Sequence, residues 1–328
     1  MGIDREASTT ALHVRARDIP VPTSISAEAR AMLSMGAPPS VEAWPAADDV
    51  DSWRRLVAAR DELGMSVMAA QVSKAPVECV ARVVDGVTVH VAWPHGCDDD
   101  RVVLDLHGGA LIFFGGAACA AMATMAAART ELPTWGVDYR MPPDHPYPAG
   151  LDDCIAAYRA LLGDHDPSRI VVRGGSAGGN LAAALVVRAR DEGLPLPAAV
   201  ILQTPEVDLT ESGDSFQTNA GVDTVLSSLR EVNELYAAGH DLSNPYLSPL
   251  FADLAGFPPT LLTTGTRDLF LSNTVRMHRA LRRAGVEAAL HVLEAAPHGG
   301  FMGAAPEDAE IVAEIRLFID RLCPPRVS

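Results

Sequence analysis

From Val77 onward, short β-rich apolar runs alternate with longer stretches whose apolar residues recur every three or four positions. The short runs predict strands at 77–84, 87–93, 102–106, 134–139, 169–173, 198–203, 260–265 and 289–293. The stretches between them predict helices. In 151–162, Leu151, Cys154, Ile155, Tyr158 and Leu162 form one apolar stripe, and Gly163 is placed to cap the end. In 272–284, Ser272 or Asn273 is placed to cap the start, Arg282 and Arg283 suit the negative end, and Gly285 follows. In 306–322, Pro306 opens the helix, Glu307 and Asp308 favour its first turn, and Ile311, Ile315, Phe318 and Leu322 face inward. Strands alternating with helices predict an α/β fold, with a mostly parallel sheet covered on both faces.

Two regions break that rhythm. Residues 1–75 read as helical fragments interrupted by prolines ("IPVPTSISAEARAMLSM", "DSWRRLVAARDELGM"). Residues 210–245 fit no strand–helix unit and read as an insertion. Together they are expected to form a helical cap over a core domain spanning 76–328. A third region needs care. Ala110–Ala128 carries no charge over nineteen residues. It is mostly alanine, contains Gly115 and Gly116, and lies between two predicted strands, so a buried core helix is expected rather than a membrane span.

Composition narrows the function classes. The 328 residues are 48% hydrophobic, enough for a sizeable core, and carry a formal net charge of −16 with a pI near 4.9. That acidity argues against nucleic acid or an anionic membrane as partner. The five cysteines, Cys79, Cys97, Cys119, Cys154 and Cys323, show no CxxC or CxxH spacing, so neither a disulfide framework nor a zinc site is expected. The opening "MGIDREAST" is charged and reads as no secretory signal, which points to a cytoplasmic protein.

The chemistry concentrates in four short stretches. "GGSAGGN" sits between strand 169–173 and a predicted helix at 177–190. A nucleophile at a sharp strand-to-helix turn needs small residues two positions before and after it, and Gly174 and Gly178 supply them around Ser176. The helix start beside Ser176 offers free N–H groups to developing negative charge. The stretch lacks the G-K-[ST] of a phosphate-binding loop. Upstream, "LDLHGGALIFFGG" runs a strand into His107-Gly108-Gly109-Ala110, a loop able to aim backbone N–H groups at one oxyanion. His107 reads as an anchor of that loop and not as a base. Downstream, Asp268 follows strand 260–265, at the sheet edge where functional groups collect. Asp208 in "TPEVDLT" follows a strand in the same way and stays open as an alternative acid. His298 lies in a Pro/Gly loop after the last strand. The order Ser176, Asp268, His298 is the chain order of an α/β-hydrolase triad.

From about residue 75 to the end, the chain resembles the hormone-sensitive-lipase-like esterases, the bacterial family IV of α/β-hydrolases. The resemblance rests on "LHGGA", "VDYRMPPDHPYPAGLDD" (137–153), "GGSAGGNLAAAL", "NPYLSPLFADLAGFPPTLLTTGTRD" (244–268) and "PHGGF". It implies an α/β-hydrolase fold with an eight-stranded sheet and a helical cap. It further implies a Ser176 nucleophile, an Asp268 acid, a His298 base, and an oxyanion hole built from Gly108, Gly109, Ala110 and Ala177. The chain departs from the family at Ala110, where a third glycine is usual, and at Gly175, where an acidic residue or threonine is usual. It departs again after Asp268, where Leu269 and Ser272 replace proline and a second acidic residue. The expected activity is hydrolysis of small short-acyl esters, lactones included, with no cofactor and no metal. The partner expected is a small ester; no nucleic acid and no membrane are expected, and a homodimer is compatible with the sequence. Acyl transfer by the same triad and non-catalytic ligand binding are the alternatives. Phe113 and Phe114 read either as walls of the pocket or as core.

Overall fold

A computed structural model describes residues 16–36 and 44–326; "MGIDREAST" and the rest of 1–15 lie outside them, as do 37–43. Eight strands form one sheet: β1 (Val77–Val84), β2 (Val87–Pro94), β3 (Val102–Leu106), β4 (Thr134–Asp138), β5 (Ile170–Gly175), β6 (Ala199–Gln203), β7 (Thr260–Gly265) and β8 (Ala288–Leu293). Their order is β1-β2-β4-β3-β5-β6-β7-β8. β2 runs antiparallel to its neighbours β1 and β4, and every other pairing is parallel.

Nine helices accompany the sheet among the described residues: α1 (Ala27–Ser34), α2 (Val50–Val72), α3 (Ala117–Thr130), α4 (Ala149–Asp164), α5 (Ala177–Asp191), α6 (Ser215–Thr218), α7 (Arg230–Ala237), α8 (Leu271–Arg283) and α9 (Pro306–Leu322). The central strands are buried on both faces, and their side chains divide by parity. Val102, Leu104 and Leu106 of β3, with Ile170 and Val172 of β5, pack with α4, α5 and α8. Val103 and Val171 pack on the other face against Ile315, Phe318 and Ile319 of α9. Ala123 and Ala127 of α3 lie on Ala92 of β2.

Most predicted boundaries agree with these elements to within a residue or two. Three do not. The uncharged run 110–128 is not one helix. Residues 110–116 form an irregular loop, with positive φ at Ala110 (52°), Leu111 (64°), Phe114 (76°) and Gly116 (59°), and α3 begins only at Ala117. No helix among the described residues is long and apolar enough to cross a membrane. Gly163 is not a cap: α4 continues through it, and the chain leaves at His165 with extended backbone, so no left-handed residue is needed. Ser272 and Asn273 are not caps either. α8 starts one residue earlier, Asp268 Oδ1 accepts the Phe270 N–H at 2.9 Å, and Ser272 Oγ accepts the Ser215 N–H at 2.9 Å. The start of α9 is as expected, with Asp308 accepting the N–H groups of Phe301 and Gly303, both at 2.9 Å.

The N-terminal helices dock at separate places. Ile25, just before α1, and Ala29 and Leu33 of α1 join Ala296, Phe301 and Ala305 in one buried cluster, and Glu307 accepts both the N–H (2.7 Å) and the hydroxyl (2.8 Å) of Ser26. α2 buries Trp53 completely, in a cluster with Ala110, Ile112, Phe113, Phe216, Leu229, Val232, Leu269 and Phe270. That cluster joins α2, the glycine loop and the 210–245 segment above the carboxyl ends of the strands.

Candidate active site

β5 ends in a turn that only small residues permit. A Cβ on Gly174 would meet the Gly178 carbonyl oxygen at 2.1 Å, and one on Gly178 would meet the Leu106 oxygen at 1.8 Å. Between them Ser176 adopts φ 56°, ψ −123°, a strained conformation for a residue with a side chain. Gly175 is under no such constraint: the nearest atom to a Cβ there is 3.8 Å away. The departure from the family at that position therefore leaves the turn unaltered.

The turn delivers the Ser176 hydroxyl to His298, with Oγ and Nε2 2.8 Å apart. His298 Nδ1 lies 3.0 Å from Asp268 Oδ1. The carboxylate accepts from Nδ1–H, which leaves Nε2 free to accept the serine proton. The structure thus brings together Ser176, Asp268 and His298, from the ends of β5, β7 and β8. Phe270 lies edge-on to the imidazole, with ring centroids 4.9 Å apart.

The other carboxylate weighed from the sequence is employed elsewhere. Asp208 is fully buried but accepts from Thr210 Oγ1 (2.5 Å), Ser212 Oγ (2.7 Å) and Arg276 Nη1 (2.6 Å). Burial works to raise its pKa, and these donors together hold it below the ordinary value.

The loop 107–116 approaches Ser176 from β3. Gly108 lies so close that a Cβ there would sit 3.0 Å from the Gly175 oxygen. Gly109 has φ 127°, and a Cβ would strike the Phe113 oxygen at 2.3 Å. Ala110 holds φ 52° despite its methyl group. The Gly109 carbonyl accepts from the N–H groups of Ile112 (3.0 Å) and Phe113 (2.8 Å). The N–H groups of Gly109 and Ala110 make no hydrogen bond with other described residues, and Ala177 is the first residue of α5. These are the donors expected for an oxyanion. His107 anchors the loop. Its ring stacks on Tyr139 at 4.1 Å, its Nδ1 bonds the Gly108 carbonyl at 2.8 Å, and the Tyr139 hydroxyl donates to the His107 carbonyl at 2.7 Å. Burial pushes its pKa down, so it stays neutral near neutral pH. Phe113 is core, and Phe114 packs against the same cluster.

Four supporting carboxyl or hydroxyl groups have no local signature in the sequence. Thr264 Oγ1 donates to Asp268 Oδ2 at 2.7 Å. Asp223, from the 210–245 segment, accepts the Leu269 N–H at 2.8 Å and faces the His298 N–H at 3.3 Å. Asp61 of α2 accepts the Phe114 N–H at 2.7 Å. Glu206 lies fully buried below the turn: its N–H donates to the Ser176 carbonyl (3.1 Å), and its Oε1 accepts from Asn233 Nδ2 (3.0 Å). Burial pushes its pKa up to about 8. Burial also lowers the His298 pKa, but the Asp268 charge and hydrogen bond, with the Asp223 charge, outweigh it and leave His298 raised.

Comparison with known proteins gives the fold and the family. Residues 103–302 match a family described by its α/β-hydrolase fold. An acetyl-hydrolase of Streptomyces hygroscopicus is 34% identical over 190 residues, 57% of this chain and 64% of that one, so the match spans just under two thirds of that relative. Carboxylesterase NlhH of Mycobacterium tuberculosis is 36% identical over 234 residues, 66% of this chain and 72% of that one. The crystal structure of an esterase called E25 superposes with a TM-score of 0.90 at 34% identity, covering 95% of this chain and 99% of that one. An esterase of the bacterial hormone-sensitive lipase family superposes with a TM-score of 0.80 at 31% identity, covering 91% and 99%. With its mostly parallel eight-stranded sheet, its glycine-flanked serine and these relatives, the chain belongs to the hormone-sensitive-lipase-like family of α/β-hydrolases.

Proposed function

We propose that this protein is a serine carboxylesterase acting on small, short-acyl esters through an acyl-enzyme. The observation that carries the reading is the continuous line from Ser176 Oγ to His298 Nε2 (2.8 Å) and from His298 Nδ1 to Asp268 (3.0 Å), set at a strained turn beside free backbone donors. The printed names of the relatives, acetyl-hydrolase and carboxylesterase, agree with it.

Each step follows from the site. His298 takes the Ser176 proton as Oγ attacks the ester carbonyl. The oxyanion is met by the N–H groups of Gly109, Ala110 and Ala177. Asp268 holds the imidazole in the Nδ1–H tautomer and stabilises its charged form. His298 then gives its proton to the departing alkoxide, and an alcohol leaves. A water molecule, deprotonated by the same imidazole, cleaves the acyl-serine and releases the acid. Residues 1–75 and 210–245 act as a cap in this reading. Support comes from Trp53, Phe216, Leu229 and Val232, which join Ala110, Ile112 and Phe113 of the glycine loop in one buried apolar cluster.

The test is labelling by a phosphonate ester, followed by initial rates against acyl length. The wild type should be labelled once, at Ser176, and Ser176→Ala should not be labelled. Rates on esters of one chromogenic alcohol should peak between acetyl and hexanoyl and fall beyond about eight carbons. Label retained by a folded Ser176→Ala protein would remove the nucleophile assignment. Strong hydrolysis of emulsified triolein would remove the short-acyl reading.

A further inference from the structure

Behind the glycine loop, three residues that no sequence spacing connects converge. His90 projects from β2, Cys119 from α3 and Asp138 from the end of β4, and one ligand atom from each lies within 4.8 Å of the other two. They stand apart from Ser176, His298 and Asp268, and the proposed hydrolysis makes no use of them. We propose that His90, Cys119 and Asp138 form a binding site for one borderline-soft divalent cation, Zn²⁺ foremost.

Four observations point there. His90 is nine-tenths buried, and its Nε2 has no hydrogen-bond partner among the described residues. A buried, unpaired ring nitrogen is costly unless something meets it. Second, Nε2 faces Asp138 Oδ2 at 3.6 Å. That is too long for a hydrogen bond. It suits two ligands of one tetrahedral ion, which at metal–ligand distances of about 2.0–2.2 Å lie roughly 3.3–3.6 Å apart. Third, the donor set is an imidazole, a thiol and a carboxylate, the mixture that zinc accepts and that magnesium or calcium would not choose. Fourth, the carboxylate is already oriented. Asp138 Oδ1 accepts the Gly116 N–H at 2.8 Å, which turns Oδ2 toward His90, and the side chain is 20% exposed, so an ion has a way in.

Binding would form a metal–sulfur bond and release the Cys119 proton to solvent; His90 would bind through its neutral Nε2, and water would complete the tetrahedron. The ion would join β2, β4 and α3 at the residue that holds the end of the glycine loop. Its expected effect is to stiffen that loop's support and to stabilise the fold by mass action.

The experiment uses the full chain, stripped with a chelator and dialysed against a small excess of Zn²⁺ or Co²⁺. Bound metal is counted by mass spectrometry, affinity is measured by titration, and the cobalt form is examined for a thiolate-to-metal charge-transfer band. One ion per chain is expected, with the band present and the thermal midpoint rising as zinc is added. His90→Gln and Cys119→Ser, each checked for native circular dichroism, should weaken binding on the order of a hundredfold or more, and His298→Ala should leave it intact. The proposal is overturned if the folded wild type binds no stoichiometric metal or if cobalt binds without the thiolate band. It is equally overturned if binding survives in His90→Gln and Cys119→Ser yet disappears in His298→Ala, which would put the ion at the serine site instead.

Discussion

Asp268 and Asp208 both lie fully buried just past a strand, and their neighbours decide what each does. Asp268 turns Oδ1 to His298, with Thr264 and the Phe270 N–H fixing the carboxylate from the other sides. Asp268→Asn should therefore disturb the imidazole tautomer and lower turnover on the order of 10⁴-fold, measured as kcat with the fold intact. Asp208→Asn should do something different. It weakens a hydrogen-bonded pair with Arg276, costing on the order of 1–3 kcal/mol of stability in a denaturant titration, while kcat stays near wild type. A crippled Asp208→Asn beside a healthy Asp268→Asn would reverse the roles. In the proposed mechanism the raised His298 pKa sets the acid limb of activity. The base works when neutral, so activity should fall on acidification through a pKa above the ordinary 6.5, not below it. Asp223→Asn removes a charge that favours the imidazolium, so the limb of its kcat/KM profile should move to lower pH. The three residues proposed to react were legible in the sequence because each sits in a local signature of glycines or at a strand end. Asp223 was not, because it reaches the His298 N–H across 75 positions and nothing beside it in the chain announces the contact.

At the scale of elements, the loop 107–116 carries the strain and α2 helps to hold it. Three side-chain-bearing residues there, Ala110, Leu111 and Phe114, have positive φ, a conformation that persists only when the surroundings fix it. Two carboxylates hold the far end: Asp61 accepts the Phe114 N–H and Asp138 accepts the Gly116 N–H. α2 also comes close with Gly64, where a Cβ would sit 2.5 Å from the Phe114 ring. Asp61→Ala should let the loop relax and lower kcat by about tenfold or more, with KM changed less, because a misplaced oxyanion donor is felt in the transition state. Asp61→Asn keeps an acceptor and should restore most of the rate. Equal rates in Asp61→Ala and the wild type would mean that α2 does not position the loop. The loop also marks where the sequence misleads. Alanine favours helix from Ala110 through Ala128, and no charge or proline marks a boundary; the positive φ at Gly109, Ala110, Leu111, Phe114 and Gly116 sets it instead. The central strands were easier to read, since their short apolar runs are buried almost throughout. Their order was not: β4 lies between β2 and β3, a consequence of crossover packing that no local pattern records.

At the scale of the whole molecule, Glu206 links the serine turn to the 210–245 segment and should leave its mark on stability. Its backbone bonds the Ser176 carbonyl and Asn180, its Oε1 accepts from Asn233, and its Oε2 has no partner among the described residues. Charged or titratable groups near it are Glu211, Asp208 and His298. Burial pushes its pKa up to about 8 from an ordinary 4.5. Between those values the native chain holds a proton that the unfolded chain has lost, so this group makes stability fall as pH rises from about 4.5 to about 8 and level off above. His298, raised as well, contributes stability below its ordinary 6.5 that is lost as pH climbs through its folded value, so the wild-type curve holds both effects. Glu206→Gln separates them. Glutamine keeps the shape and an acceptor for Asn233 but cannot ionise. The difference in thermal midpoint between Glu206→Gln and wild type should grow in favour of the variant from pH 5 to pH 8 and then hold. Differential scanning calorimetry across that range measures it, with Ser176 labelling at each pH to show that the turn survives. A difference that stays flat with pH would mean that Glu206 is already ionised in the fold and that its unpaired oxygen is met by something other than its own proton.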